Sequence, residues 1–456
     1  NEKQEGQYDF SALKLLTDLA GEVGLKVICQ VYIDSAPDWV GQKYPDSAFV
    51  ASNDLKIHSQ AAPGFCFDHH GVQAKILNFL TEAARAIKGK PAFYGWDLWS
   101  EPHIINWSEV YHLGNLNYLQ FCYCPSSQAR FRQWLEKKYQ KIEAVNEAWH
   151  RTFKSFSEVE PPRFGTILTY TDYIDWQEFI TDKLAEDLAL KTQTIRKVLP
   201  ETVITSHSAI PGLFSQPSWD GTPDDRKMNN SVDYYGVSIY PKHAGALRPW
   251  SPYFRAAGLD FVRSMAWKNE GFYVGELQAG YGVFGLKVSL PVTADDLRDW
   301  MWSLVGSGAR AINIYAYYPM SSGYEAGGYG LVDLDGRITP RAEAAGKIAR
   351  LISRNMNLFL KAQPARAQVA LVYNRLAQMV GGQQTFTAEG RPVGYNSLGE
   401  SLQGLHRAFY EQGIRVDFLH VSDLKEKAKD YRFIIVPYPV MISRPYIGEL
   451  IKYVEQ

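Results

Sequence analysis

The stretch Pro91-Ala-Phe-Tyr-Gly-Trp-Asp-Leu-Trp-Ser-Glu-Pro102 reads as a buried strand that ends abruptly on a carboxylate. Phe93 to Trp99 is apolar or aromatic apart from Asp97. Ser100 and Glu101 follow, and then a proline, which offers no N–H to a neighbouring strand and stops the ladder. A carboxylate at the C-terminal end of a buried strand stands where parallel α/β folds keep their chemistry. Taken singly, Glu101 is an ordinary polar strand end. A second stretch of the same form changes that reading: Phe272-Tyr-Val-Gly-Glu276 is another short apolar strand ending on glutamate. The two lie too far apart in the chain for a local motif. In a barrel of parallel strands, however, every strand end faces one cavity.

Working outward, strands are expected at 25–33, 203–206, 235–239 and 311–317, besides 93–99 and 272–275. Helices are expected at 10–19, 73–88, 173–198, 251–268 and 294–306. A long excursion at 103–170 carries helices near 126–139 and 142–150. Strand and helix alternating in this way imply a parallel sheet. Six strands fall before residue 360. The expected fold is therefore a (β/α)8 barrel over 1–362 whose first two strands lie outside this sequence. The character changes at Gln363-Pro-Ala-Arg366. Strands at 369–373, 414–419 and 433–436, a helix at 398–412 and a helix from Pro445 make an open, flavodoxin-like α/β domain over 363–456. It too reads as cut short, and 376–396 reads as loop.

The chain has 456 residues, with 46% hydrophobic and 21% charged side chains. The formal net charge of −1 argues against a nucleic-acid partner, which needs a basic excess. No apolar run reaches the length of a membrane span. No glycine-rich phosphate loop follows a strand, so no nucleotide cofactor is indicated. Twelve Trp, 28 Tyr and 22 Phe suit the stacking of sugar rings but also simply fill large cores. Four cysteines are too few for a disulfide scaffold.

Two carboxylates facing one cavity are what glycosidic bond hydrolysis requires. One protonates the leaving oxygen, and the other attacks the anomeric carbon or activates water to do so. As a matched pair, Glu101 and Glu276 read as that machinery.

The motifs around them carry a family resemblance. Trp99-Ser-Glu-Pro102 resembles the Asn-Glu-Pro ending of strand four in clan A retaining glycosidases, and Gly275-Glu276 resembles their strand-seven nucleophile. Nearly the whole chain is similar to the family 42 β-galactosidases. Glu5-Gly-Gln-Tyr-Asp-Phe10 and Ala36-Pro-Asp-Trp39 resemble their segments after barrel strands two and three. The most specific match is Cys122-Tyr-Cys-Pro125 with Phe131-Arg-Gln-Trp-Leu135, Lys138-Tyr139 and Asn146-Glu-Ala-Trp149. Gly323-Tyr-Glu325 resembles the substrate-contacting segment beyond strand eight, and the domain from 366 resembles the trimer-forming domain. The resemblance implies Glu101 as acid/base, Glu276 as nucleophile, Tyr240 as the tyrosine that hydrogen-bonds the nucleophile, and a homo-oligomer, a trimer in the family. An acid that stays protonated needs an apolar wall, which Trp96 and Trp99 are placed to supply.

Four departures fall on the sugar pocket. Ser100 replaces the asparagine before the acid, Lys154 and Phe284 stand where tryptophans are usual, and Gly328 stands where a histidine is usual. They put galactose specificity in question and leave the two carboxylates untouched. Lys154, Lys242, His243 and Arg248 would form a cationic rim for an acidic or sulfated sugar, though each reads more simply as solvated surface. His207, Trp39, Tyr315 and Tyr318 are candidate sugar contacts. The family often holds zinc with four cysteines. Cys66, Cys122 and Cys124 match three of them, while the fourth position is Ser127, a poor zinc ligand. His69 and His70 are the substitutes at hand, and no metal is expected. Cys29 reads as a core residue.

The expected function is that of a retaining exo-β-glycosidase acting on a β-galactoside. The alternatives are a related enzyme for a β-mannoside or a sulfated galactan oligosaccharide, and a sugar-binding protein without turnover. Localisation is not written in the sequence.

Overall fold

A computed structural model describes residues 1–455 apart from 33–34, 58–63, 105–119, 164–168, 216–222, 244–248, 270, 285–286, 324, 383–384, 389–390 and 395. At 283–284, 287–288, 382, 385–388 and 391–394 it describes the backbone. The six strands stand where the alternation puts them. They are β1 Val27–Gln30, β2 Phe93–Ser100, β3 Val203–Ser208, β4 Tyr234–Ile239, β5 Phe272–Gln278 and β6 Ala309–Tyr315. Around them run α1 Ser11–Glu22, α2 Asp38–Lys43, α3 His70–Ile87, α4 Pro125–Tyr139, α5 Ile142–Trp149, α6 Thr171–Arg196, α7 Pro252–Met265, α8 Ala294–Ser307 and α9 Pro340–Arg354. The chain divides into two compact units, residues 1–205 with 216–233 and 379–395, and residues 206–215 with 234–378 and 396–456.

In the first unit β1 and β2 pair in parallel, from Val27 beside Phe93 to Gln30 beside Asp97. Thr205 at the head of β3 donates to the Trp96 carbonyl at 3.2 Å. Gly95 is glycine for a steric reason, since a Cβ there would lie 2.4 Å from the Val203 carbonyl oxygen. The long α6 buries Trp176, Phe179, Leu184, Leu188 and Ile195. Trp176 meets Phe131 of α4 edge-on at 5.0 Å. Helix α4 begins on Pro125, whose missing N–H would be unsatisfied at that position anyway.

In the second unit β4, β5 and β6 pair in parallel with β5 in the centre. Helix α8 opens with a Thr293/Asp296 capping box and closes on Gly308 in the left-handed region (φ +99°). Beyond α9 lies the smaller α/β element: β7 Val369–Tyr373, α10 Arg375–Gly382, α11 Ser397–Glu411, β8 Val416–His420, β9 Phe433–Ile435 and α12 Arg444–Glu455. Its sheet is parallel with β7 between β8 and β9. It is joined to α7 by packing and by charge. Phe261 meets Tyr373 and Phe418 edge-on at 4.9 and 5.5 Å, and Arg263 pairs with Asp417 at 2.7 Å.

One expectation fails. Residues 376–396 are not loop. Asn374 caps the start of α10 by accepting from the Leu376 N–H at 3.2 Å, and Ala377 and Met379 bury the helix. Beyond it, Thr385–Ala388 pairs antiparallel with Arg391–Gly394. The polar, glycine-rich composition concealed both elements. The end of the expected first strand, at 33, falls outside the described residues. None of the helices among the described residues is long and apolar enough to cross a membrane.

Candidate active site

Glu276 is the one residue of β5 that is not fully buried, in a strand that lies between two others. Its side chain keeps 13% of its surface. The register sets Ser238 of β4 beside Glu276, so Tyr240 comes just past the end of the neighbouring strand. Its hydroxyl donates to Glu276 Oε2 at 2.5 Å. A phenol donating to a carboxylate makes a charge-assisted bond that fixes the orientation of the acid. On the other side, the Nε2 of His207, fully buried on β3, lies 3.9 Å from Oε1. Gly275 makes room for that ring: a Cβ at 275 would lie 2.0 Å from His207 Cγ. The Gly275 carbonyl accepts from Asn313 Nδ2 of β6 at 2.7 Å.

A second carboxyl belongs to this group. Tyr315, last residue of β6, donates to Glu325 Oε2 at 2.8 Å. Burial first, and then the nearby Glu276, push the Glu325 pKa up. Burial, and Glu325 after it, push the Tyr315 phenol up as well. Tyr240 is itself enclosed by rings, with centroids of His243 at 5.2 Å, Tyr329 at 5.7 Å and Tyr315 at 6.4 Å. His243 Nδ1 and the Tyr329 hydroxyl are 3.0 Å apart. Burial lowers the His243 pKa to about 4, so the imidazole is neutral near pH 7.

In the first unit, Glu101 follows the last residue of β2, Ser100, with φ +49°. A non-glycine residue held there costs backbone energy, and such residues cluster at functional sites. Ser100 and Glu101 are both half-buried. The face of Trp99 is occupied: Lys191 Nζ lies 3.3 Å from its ring centroid, and the lysine is 2% exposed. The wall expected to be apolar therefore carries a cation.

The other sequence candidates separate. Trp39 sits at the start of α2, donates to the Glu2 carbonyl at 3.0 Å and lines a cleft with Tyr32, Phe65, Lys75 and Phe79. Lys154 is exposed, its N–H held by Glu158. The Phe284 side chain and Arg248 lie outside the described residues. Lys242 is spoken for by Asp296 at 2.7 Å, and Tyr318, half exposed, donates to the Leu334 carbonyl. The cationic rim thus loses Lys242 to an ion pair and His243 to neutrality.

Cys66, Cys122 and Cys124 are buried with their sulfurs within 4.8 Å of one another. Ser127 Oγ is 3.2 Å from Cys66 Sγ and 3.4 Å from Cys124 Sγ, and it donates to Asp68 at 2.6 Å. Three sulfurs suit zinc, but structural zinc takes four nitrogen or sulfur ligands, and the fourth corner is a hydroxyl already bound to a carboxylate. The donor set does not complete such a site. Behind it Asp68 and Asp187 share Arg130 and Lys183 at 2.6–3.1 Å.

Sequence reading did not find Gln278, Asn313 or Tyr329. Gln278 carried one signal, its place two residues beyond Glu276 on the same strand. The other two carried none, since their roles depend on which strands become neighbours.

A family model for glycoside hydrolase family 42, described as β-galactosidase, matches residues 1–354. The β-galactosidase bgaB of Geobacillus kaustophilus is 21% identical over 454 residues, covering 97% of this chain and 61% of that relative. The β-galactosidase BgaA of Clostridium cellulovorans is 20% identical over 459 residues, covering 99% and 64%. The chain thus spans about three fifths of the length of these curated relatives. Among solved structures, Gan42B, a family 42 β-galactosidase from G. stearothermophilus, superposes with a TM-score of 0.82 at 21% identity. It covers 99% of this chain and 63% of that one. The fold is that of these barrel enzymes.

Proposed function

The chain belongs to glycoside hydrolase family 42, and on that premise we propose that it is a retaining exo-β-glycosidase whose substrate is a β-galactoside. In this reading the Glu276 carboxylate attacks the anomeric carbon while Glu101 protonates the departing glycosidic oxygen. A covalent glycosyl-enzyme results. Glu101 then takes a proton from water, the water oxygen bonds the anomeric carbon, and Glu276 leaves as carboxylate. Two carboxyl groups supply all of this chemistry, so no cofactor enters.

The observation that carries the reading is the 2.5 Å bond from Tyr240 to Glu276. It supports a carboxylate held in one orientation, which a nucleophile needs and a solvated rim glutamate does not. Glu325, its pKa raised and already bound to Tyr315, suits a contact to a sugar hydroxyl, and His207 backs the nucleophile. Ser100, Trp39, Phe284 and Lys154 remain candidate contacts to the rest of the substrate. Two of the four rim candidates, the paired Lys242 and the neutral His243, offer no free positive charge to a sulfated sugar. The partner is a second copy of the same chain in a homo-oligomer, a trimer by family resemblance.

The test is proton NMR of the first-formed sugar from a β-galactoside, followed by labelling with a 2-fluoro-β-galactosyl inactivator. The reading expects β-anomer product and the label on Glu276. An α-anomer first product means inversion and removes the covalent step. A label elsewhere removes Glu276. No turnover of any β-glycoside, with binding retained, leaves the sugar-binding protein.

A further inference from the structure

Gln278 is fully buried at the end of β5, two residues beyond Glu276. All of its amide is used. Oε1 accepts the Lys242 N–H at 2.9 Å, and Nε2 donates to the Lys242 carbonyl and to the Gly280 carbonyl, each at 3.2 Å. A side chain that takes one N–H and gives one N–H to the same residue acts as a strand neighbour does. It acts at an informative place. Backbone pairing between β4 and β5 ends with Ile239 beside Leu277, and Tyr240-Pro-Lys242 follows past the end of β4. Gln278 supplies one more rung beyond the point where the two backbones part.

We propose that Gln278 is a positioning residue for the reaction. It clamps Lys242 and thereby sets where Tyr240 presents its hydroxyl to Glu276. Pro241 lies between, with its φ fixed by the ring, so a held Lys242 leaves Tyr240 little freedom. The same turn is also held by Asp296 on the Lys242 ammonium at 2.7 Å, by Tyr329 on His243 at 3.0 Å and by the Trp250 N–H on the Pro241 carbonyl at 2.9 Å. Gln278 differs from them in tying the backbone of the turn to the strand that carries Glu276. Asparagine lacks the reach, and glutamate, with no N–H to give, would face two carbonyls. The role rests on Glu276 being the nucleophile.

The test compares Gln278→Met and Gln278→Glu, each alone and with Tyr240→Phe, on p-nitrophenyl β-galactoside, using the full chain. Hydrogen exchange of the segment containing the Lys242 amide is followed in parallel. We expect either single substitution to lower kcat/KM about tenfold or more, mainly through kcat. Combined with Tyr240→Phe it should cost no more than about twofold further, because both act through one bond. The Lys242 amide should be protected in the unaltered protein and exchange faster in the variants. Folded Gln278 variants within about twofold of the parent, or losses that multiply with Tyr240→Phe, would overturn the role. So would a Lys242 amide that exchanges as freely as an open loop. If the Met variant does not fold, the Glu variant, close to isosteric, carries the same expectations. A parent protein inactive on every β-glycoside overturns the functional reading, and the role with it, while exchange still decides the clamp.

Discussion

Tyr240 and Glu276 meet across adjacent strand ends, hydroxyl to carboxylate, at 2.5 Å. The bond joins a residue outside β4 to one inside β5, so it depends on strand register and on the turn that follows β4. Replacing Tyr240 by Phe removes the donor and keeps the ring packed among His243, Tyr315 and Tyr329. A hydrogen bond to a charged group contributes about 1.5–3 kcal/mol. The expected outcome is a loss of roughly tenfold to a hundredfold in kcat/KM with little change in melting temperature. Activity within about twofold of the parent would mean that the bond does not orient the reacting carboxylate.

Gly275 and His207 share one space. A Cβ at 275 would stand 2.0 Å from the buried ring, so Gly275→Ala must push the imidazole, and Glu276 beside it, out of place. Overpacking of this kind costs about 1–3 kcal/mol. The expected result is a lower urea midpoint and lower kcat. Removing the ring with His207→Ala should make the added methyl nearly harmless. If Gly275→Ala is equally damaging in both backgrounds, the clash lies with something other than His207.

His243 links stability to acid. Its pKa falls from an ordinary 6.5 to about 4 on folding, through burial. Between those values the unfolded chain binds the proton and the folded one does not. Stability from this residue is therefore full above pH 6.5 and declines as pH falls towards 4. Urea midpoints measured from pH 7 to pH 4 should drop more steeply for the parent than for His243→Phe. Parallel curves would show that His243 titrates normally.

Asp68 has no exposed side-chain surface and faces Arg130 at 2.7 Å and Lys183 at 3.1 Å, the lysine being nearly as buried. Asp68→Asn leaves those two cations with the charge of Asp187 and Glu186 alone. Breaking a buried pair on one side costs about 3–5 kcal/mol. Chemical denaturation should register a loss of that size; a loss under about 1 kcal/mol would mean that Asp187 alone neutralises the cluster.

Much of this was legible in the sequence, for identifiable reasons. Apolar runs leading to Glu101 and Glu276 are local patterns; the structure sets Glu101 just after β2 and Glu276 inside β5, which runs on to Gln278. Tyr240 was legible only through the family resemblance. The helix and hairpin between 375 and 394 were not, because glycines and polar residues hid the burial of Ala377 and Met379. The partners of Lys242 and His243, Asp296 and Tyr329, were not legible because they lie far along the chain.

The sequence by itself determined the strand and helix alternation, the fold class and the two glutamates, because hydrophobic periodicity and strand-ending residues act over a few positions. Only the tertiary structure decided what surrounds them. The lysine on the face of Trp99, the imidazole over Gly275 and the clamp of Gln278 on Lys242 each depend on contacts between residues distant in sequence. Such contacts arise when strands take their neighbours and register, and no local pattern encodes that choice.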